Sequence, residues 1–211
     1  MSTFSFIPFD AISKTISSNI DFSNSHLKGA LFLIAFNPAL WNGVARIEYK
    51  TKLFSKLTGS PRRACYCLAF IIFTLGLGRD YLFKQGCCIE QVSNEFLSKP
   101  IFKILGALTF AAGQTLVLSS MYTLGIDGTY LGDYFGILKD ERLTGFPFNV
   151  CEHPMYDGST LSFLGTALFY ASPAGVFTAG FVKLVYSIAQ IFEGPFTAKI
   201  YAKRDAERKQ K

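Results

Sequence analysis

Residues 158–192 read GSTLSFLGTALFYASPAGVFTAGFVKLVYSIAQIF, an uninterrupted apolar run whose one charge is Lys183. A helix that crosses a ~30 Å hydrocarbon core needs ~20 mostly apolar residues, so this run is too long for one crossing. Near its middle, Ser172-Pro173-Ala174-Gly175 supplies a turn signal. The run is therefore expected to form two antiparallel membrane helices, about 159–171 and 174–192, with the first arm short for a full span. Lys183 sits midway along the second arm, where a charge either faces protein, water or a headgroup phosphate, or snorkels outward.

Working outward from this hairpin, three more gaps in charge lie at 29–45, 64–78 and 104–122, the last with an edge reaching back through Phe102. The third meets the length of a span. The first two come close if flanking residues such as Arg46 and Arg79 snorkel outward. Asn37-Pro38 interrupts the first gap and Asn42 follows the lone Trp41, which leaves a kinked or re-entrant helix open there. The expected fold class is all-α, a polytopic integral membrane helical bundle of about five membrane helices including the C-terminal hairpin. It forms a single domain over 1–211, with a lead at 1–26, a membrane core at 27–200 and a basic tail at 201–211.

Composition agrees with that class. Apolar residues make up 50% of the 211 and charged residues 17%, with a mean hydropathy of +0.29, too little charge for a soluble surface and too much apolar content for a disordered chain. Five cysteines are few and odd in number for a disulfide scaffold. With only His26 and His153 beside them they form no zinc-ligand spacing, so no metal is expected. The lead has no basic start followed by a long apolar core, so a cleaved signal peptide is not expected.

Charge placement sets the topology, because Lys and Arg favour the cytoplasmic side of short membrane loops. The segment 46–63 carries six Lys and Arg against Glu48, and the tail after Phe192 carries six more. Both should be cytoplasmic, which requires an even number of crossings between them; two helices plus a hairpin satisfy this. The same parity brings 123–157 to the cytoplasmic face and leaves the N-terminus lumenal. The basic residues are interfacial anchors, and no basic stripe with interleaved aromatics points to nucleic acid.

The segment 123–157, TLGIDGTYLGDYFGILKDERLTGFPFNVCEHPMYD, is peculiar for a linker. Gly128, Gly132 and Gly136 at four-residue spacing suit either close helix packing or a ligand pressed against backbone. Its aromatic faces can hold a quaternary ammonium or belong to a membrane belt. Its acids, Asp133, Asp140, Glu141, Glu152 and Asp157, can attract an ammonium or accept its proton, and His153 is a candidate base. Gly76-x-Gly78 lies at the end of a membrane helix and lacks the strand-then-helix context of a dinucleotide-binding loop.

Leu116-Val117-Leu118-Ser119-Ser120-Met121-Tyr122, the run 128–138, Phe146-Pro147-Phe148-Asn149, Pro154-Met155-Tyr156 with Gly158-Ser159-Thr160, and Pro195-Phe196-Thr197-Ala198 together closely resemble the phospholipid N-methyltransferases. The resemblance runs from about Asn37 to about Tyr201 and is greatest with the small fungal members that carry out the last two methylations toward phosphatidylcholine. It implies methyl transfer from S-adenosylmethionine to the amine of a membrane phospholipid, with the lipid bilayer and that lipid as partners.

In such enzymes the donor site uses a Gly-x-Gly in a membrane helix and a Glu-Glu pair after the last helix. By position these fall on Ala111-Ala112-Gly113 and Glu193-Gly194, two departures from the pattern. Alternatively, Gly113 only lets helices approach, and Glu193-Gly194-Pro195 is an ordinary helix exit. The resemblance adds Tyr156 to His153 and Asp133 as catalytic candidates. A more distant similarity to isoprenylcysteine carboxyl methyltransferases leaves such an enzyme, or a non-catalytic membrane scaffold, as competing readings. The near-dilysine tail suggests the endoplasmic reticulum membrane, with the mitochondrial membrane as a second location.

Overall fold

The computed structural model describes residues 20–141 and 143–210, so the lead at 1–19 and the last tail residue lie outside the described residues. Helix α1 is Ser25–Thr51 and a short α2 is Leu53–Thr58. Helix α3 is Pro61–Phe83, extended by a π turn at Lys84–Ile89. Helix α4 is Pro100–Thr129, followed by a 3-10 turn at Gly132–Phe135, then α5 at Pro154–Phe169 and α6 at Pro173–Lys209. Among the described residues there is no strand.

The helix starts follow from local chemistry. Asn24 caps α1 by accepting from the Leu27 amide at 2.9 Å. Pro61, Pro100, Pro154 and Pro173 each open a helix, where the missing N–H costs nothing. Four segments, Ser25–Thr51, Pro61–Ile89, Pro100–Phe135 and Pro173–Lys209, are long and apolar enough to cross a membrane. Helix α5 is the short arm of the hairpin, as its length in the sequence suggests. The hairpin turns where expected: Ser172 caps α6 by accepting from the Gly175 amide at 2.8 Å, and its hydroxyl donates to the Cys87 carbonyl of the π turn.

Two breaker signals do not break helices. Helix α1 runs through Asn37-Pro38 without re-entering, and the Asn42 amide donates to the Pro38 carbonyl at 3.0 Å one turn on. Helix α6 does not exit at Glu193-Gly194-Pro195 but continues to Lys209. At that turn Arg46 donates to the Phe192 carbonyl at 2.7 Å and lies 4.6 Å over the Phe196 ring. A proline in a membrane helix is tolerated where neighbouring groups satisfy the backbone it disturbs.

Helices α4 and α5 meet backbone to backbone. A Cβ on Gly113 would stand 2.5 Å from the Gly158 carbonyl oxygen, and one on Gly158 would stand 2.7 Å from that of Gly113. Gly106 and Gly165 repeat the arrangement, each Cβ at 2.7 Å from the other's oxygen. Only glycine permits this approach. Helix α1 runs antiparallel to α3, with Gly29 against Leu82 and Gly78 against Leu33.

The basic segments share one end of the bundle. There Ala45, Ala64, Cys65, Tyr134, Phe135 and Ile200 form a buried cluster, and the Tyr134 ring stacks on Phe196 at 5.1 Å. Arg204 donates to the Lys139 carbonyl and Arg208 pairs with Asp140 at 2.8 Å. This end, called the basic end below, holds 46–63, the 3-10 turn and the outer half of α6 together, as an even number of crossings requires.

Candidate functional site

A cavity of about 460 Å³ lies between α1, α3, α5, α6 and the last turns of α4, beneath the segment that follows α4. Its walls combine acids, aromatic rings and one guanidinium within an apolar bundle. Glu193 and Tyr186 project into it from α6, Trp41 and Asn37 from α1, Arg79 from α3, and His153 and Tyr156 from the start of α5. On α6 the wall residues Tyr186, Glu193, Thr197 and Tyr201 recur at spacings of seven, four and four, which keeps them on one helical face.

Glu193 joins three helices. Its Oε1 accepts from Trp41 Nε1 at 2.6 Å and from Asn42 Nδ2 at 2.7 Å, and its Oε2 accepts from the Tyr156 hydroxyl. Hydrogen bonds to a charged group are worth about 1.5–3 kcal/mol each, so this carboxylate fixes the mutual placement of α1, α5 and α6. The Tyr156 ring meets Tyr186 edge-on at 5.0 Å and His153 edge-on at 6.3 Å.

Asp133 enters from the 3-10 turn. Leu131 (φ 61°) and Gly136 (φ 85°) flank that turn in the left-handed region, and the Ile137 amide closes it on the Gly132 carbonyl at 2.9 Å. Gly132 is also packed, its Cβ position 2.6 Å from the Asp127 carbonyl oxygen. Gly132 and Gly136 therefore shape a turn over the cavity and do not form a helical face, while Gly128, in the last turn of α4, lines the cavity.

Of the five acids of the segment, Asp133 and Glu152 line the cavity. Asp157 instead pairs with Lys183 at 2.7 Å, leaving that lysine's side chain about half exposed, and Asp140 binds Arg208 at the surface. Cys151 precedes His153 by two residues; burial, then the Asp157 charge, push its thiol up, which keeps it protonated rather than a thiolate nucleophile.

The candidates from the sequence thus divide. Asp133, His153, Tyr156 and Glu193 come together in one cavity. Ala111 and Ala112 are exposed on the outer face of α4, and Gly113 is packed against Gly158 and Ser162, so this triplet is not on the cavity wall. Gly194 is exposed, with nothing within 4 Å of its Cβ position and a helical φ.

The structure adds residues that sequence reasoning missed. Arg79, expected to snorkel outward, turns inward: its side chain is 14% exposed, Nη1 donates to the Tyr186 hydroxyl at 2.6 Å and Nη2 pairs with Asp80 at 2.8 Å. Asn37 is 2% exposed with its Oδ1 buried and without a hydrogen-bond partner among the described residues, and the Thr129 hydroxyl on the same cavity wall is in the same state. The α6 spacing of Tyr186, Glu193 and Thr197 was the available signal; Arg79 gave only its position at the end of an apolar run.

The chain is similar to known proteins over most of its length. The family model described as phospholipid methyltransferase matches residues 101–204. A phosphatidyl-N-methylethanolamine N-methyltransferase of Emericella nidulans is 50% identical over 92% of this chain and 94% of its own. One of Saccharomyces cerevisiae is 50% identical over 90% of this chain and 92% of its own. A phosphatidylethanolamine N-methyltransferase of Homo sapiens is 46% identical over 83% of this chain and 87% of its own. No solved structure matches.

Proposed function

The chain belongs to the phospholipid methyltransferase family, and we propose that this multi-pass membrane N-methyltransferase converts phosphatidyl-N-methylethanolamine and phosphatidyl-N,N-dimethylethanolamine to phosphatidylcholine with S-adenosylmethionine as methyl donor. The observation that carries the reading is the cavity itself. It runs from the level of Arg79 and Tyr186 within the apolar bundle to Asp133 and Tyr201 at the basic end, which suits a lipid acceptor whose tails stay in the bilayer and a soluble donor.

The residues at the basic end fit that donor. The Asp133 carboxylate suits its ammonium or ribose hydroxyls, the buried Thr129 hydroxyl lacks a partner among the described residues, and the Tyr130 and Tyr201 rings suit its base. When bound, S-adenosylmethionine supplies a methyl group on a positively charged sulfur. Glu193 would serve the site mainly through Trp41 and Tyr156, and a role for Ala111-Ala112-Gly113 would be exerted through the packing of α4 on α5.

Catalysis then consists chiefly of alignment. The walls hold the headgroup nitrogen among the faces of Trp41, Tyr156 and Tyr186, a surface that suits an alkylammonium by cation–π attraction. The nitrogen must lose a proton before its lone pair can attack. Asp80, Asp133, Glu152, His153 and Glu193 line the cavity, and of these Asp133 and His153 are the proposed proton acceptors.

Purified protein in mixed micelles, supplied with labelled donor and each of the three ethanolamine lipids in turn, tests the reading. Both partially methylated lipids should yield phosphatidylcholine, and failure on both would overturn it. The proposed location is the endoplasmic reticulum membrane, which fractionation of a tagged chain against endoplasmic reticulum and mitochondrial markers checks.

A further inference from the structure

A guanidinium within a membrane span is expensive unless it serves a site. Arg79 lies in the Pro61–Ile89 segment, lines the cavity and has a largely covered side chain. Its surroundings take only part of its hydrogen-bonding capacity. Arginine carries five N–H donors; Nε gives one to Asp80 Oδ1, Nη1 gives one to the Tyr186 hydroxyl, and Nη2 lies 2.8 Å from the same Asp80 oxygen as an ion pair. At least two N–H donors on the terminal nitrogens are thus left without a partner among the described residues. A guanidinium with such donors to spare suits phosphate or carboxylate oxygens. Asp80 lies beside the Nε and Nη2 edge, and the Phe163 ring lies 5.0 Å from the guanidinium carbon, so the plane is held from two directions.

A second group at this level also waits for a polar ligand. The register of Gly29 on Leu82 and Leu33 on Gly78 continues to bring Asn37 level with Thr74, five residues from Arg79 or ~7.5 Å along the axis toward the basic end. Its buried, unbonded oxygen is an acceptor, suited to an N–H rather than to a phosphate oxygen. An ethanolamine headgroup places its nitrogen roughly 5 Å from its phosphorus by ordinary bond lengths. A headgroup lying along the cavity with its phosphate at Arg79 thus presents its amine further toward the basic end, at the level of Asn37.

We propose that Arg79 is the anchor for the phosphodiester of the lipid acceptor, and that it sets the depth at which the headgroup amine reaches the aromatic part of the cavity. This rests on the lipid-methylating function proposed above. It makes Arg79 a substrate-binding residue, held ready by Asp80 and Tyr186.

The test is steady-state methylation by the full chain in mixed micelles, varying lipid and donor separately. Two acceptors are compared: phosphatidyl-N-methylethanolamine, and the same diacylglycerol joined to N-methylaminoethanol through an ether without phosphate. The wild-type chain should favour the phospholipid by about tenfold or more in kcat/KM. In Arg79→Gln the lipid KM should rise about tenfold and the preference should disappear, while the donor KM stays within about twofold. Arg79→Lys keeps the charge without the guanidinium and should fall between. Donor binding by calorimetry on the same preparations shows that each variant is folded.

A raised donor KM with an unchanged lipid KM would mean that the guanidinium takes the donor's carboxylate, and would overturn the proposal. A wild-type chain indifferent to the phosphate would also overturn it. If the wild-type chain methylates neither acceptor, the functional reading fails separately. Binding of the labelled lipid pair to wild type and Arg79→Gln then decides the anchor by the same ratio.

Discussion

Glu193 accepts from donors on two other helices, and its replacement tests both packing and chemistry. Glutamine offers one oxygen where the carboxylate offers two, so at least one of Trp41, Asn42 and Tyr156 would face an amide nitrogen. Glu193→Gln is expected to cost about 1.5–3 kcal/mol of stability, read as a lower midpoint of thermal unfolding in detergent, together with a fall in kcat. Gly194→Glu should do neither. Its Cβ points into open space and its φ is helical, so stability should stay within about 0.5 kcal/mol and the donor KM should not move; a tighter donor constant would show that the second position of the pair reaches the donor. Asp133 and His153 were legible as an acid and a candidate base in an unusual polar segment, and Glu193 and Tyr156 only through the family resemblance. Arg79 was not, because the same sequence position serves a snorkelling anchor or an inward ligand, and only the presence of Tyr186 on a distant helix decides between them.

Helices α4 and α5 depend on glycine for their contact, and this locates Gly113. Gly113→Val would drive side-chain carbon into the Gly158 backbone, closer than 3 Å, and should cost about 1–3 kcal/mol. Ala111→Val on the exposed face of the same turn should change stability by less than about 0.5 kcal/mol. Unfolding midpoints and donor KM measured on both variants separate the two roles: a donor site at this triplet would show instead as a raised donor KM in Ala111→Val at unchanged stability. The hairpin, its turn at Ser172 and the three preceding spans were legible from gaps in charge, since hydrocarbon excludes charge over a fixed length. The turn at Pro173 was legible, whereas Pro195 misled, because the Arg46 side chain of α1 donates to the Phe192 carbonyl of α6, a partner that a lone helix would lack; at Pro38 the helix also continues, with Asn42 of the same helix donating to the Pro38 carbonyl. For the glycines at 128, 132 and 136, the helix-packing alternative does not hold. Spacing of four reads as a helical face, yet the chain leaves the helix at Thr129 and uses glycine to turn.

The whole bundle gathers its positive charge at one end, where 46–63, the turn at Gly132–Phe135 and the outer half of α6 meet. The positive-inside tendency then predicts that this end is cytoplasmic. A protease site or tag after residue 209 should be fully cleaved in sealed microsomes, and protection would place the basic end in the lumen. Family membership decides between the readings the sequence left open, a phospholipid enzyme, a prenylcysteine carboxyl methyltransferase and a scaffold, in favour of the first. What binds that function to this structure is the cavity, and two glycines allow it to be filled or spared. Gly76 lines it and Gly43 lies on the exposed face of α1, each with nothing within 4 Å of its Cβ position, so tryptophan can be introduced at either without a clash at Cβ. The most direct measurement is conversion of phosphatidyl-N,N-dimethylethanolamine to phosphatidylcholine by wild type, Gly76→Trp and Gly43→Trp at matched thermal stability. Wild type and Gly43→Trp should convert the lipid and Gly76→Trp should lose at least about tenfold in kcat/KM; full activity in Gly76→Trp, or none in wild type, would contradict the account.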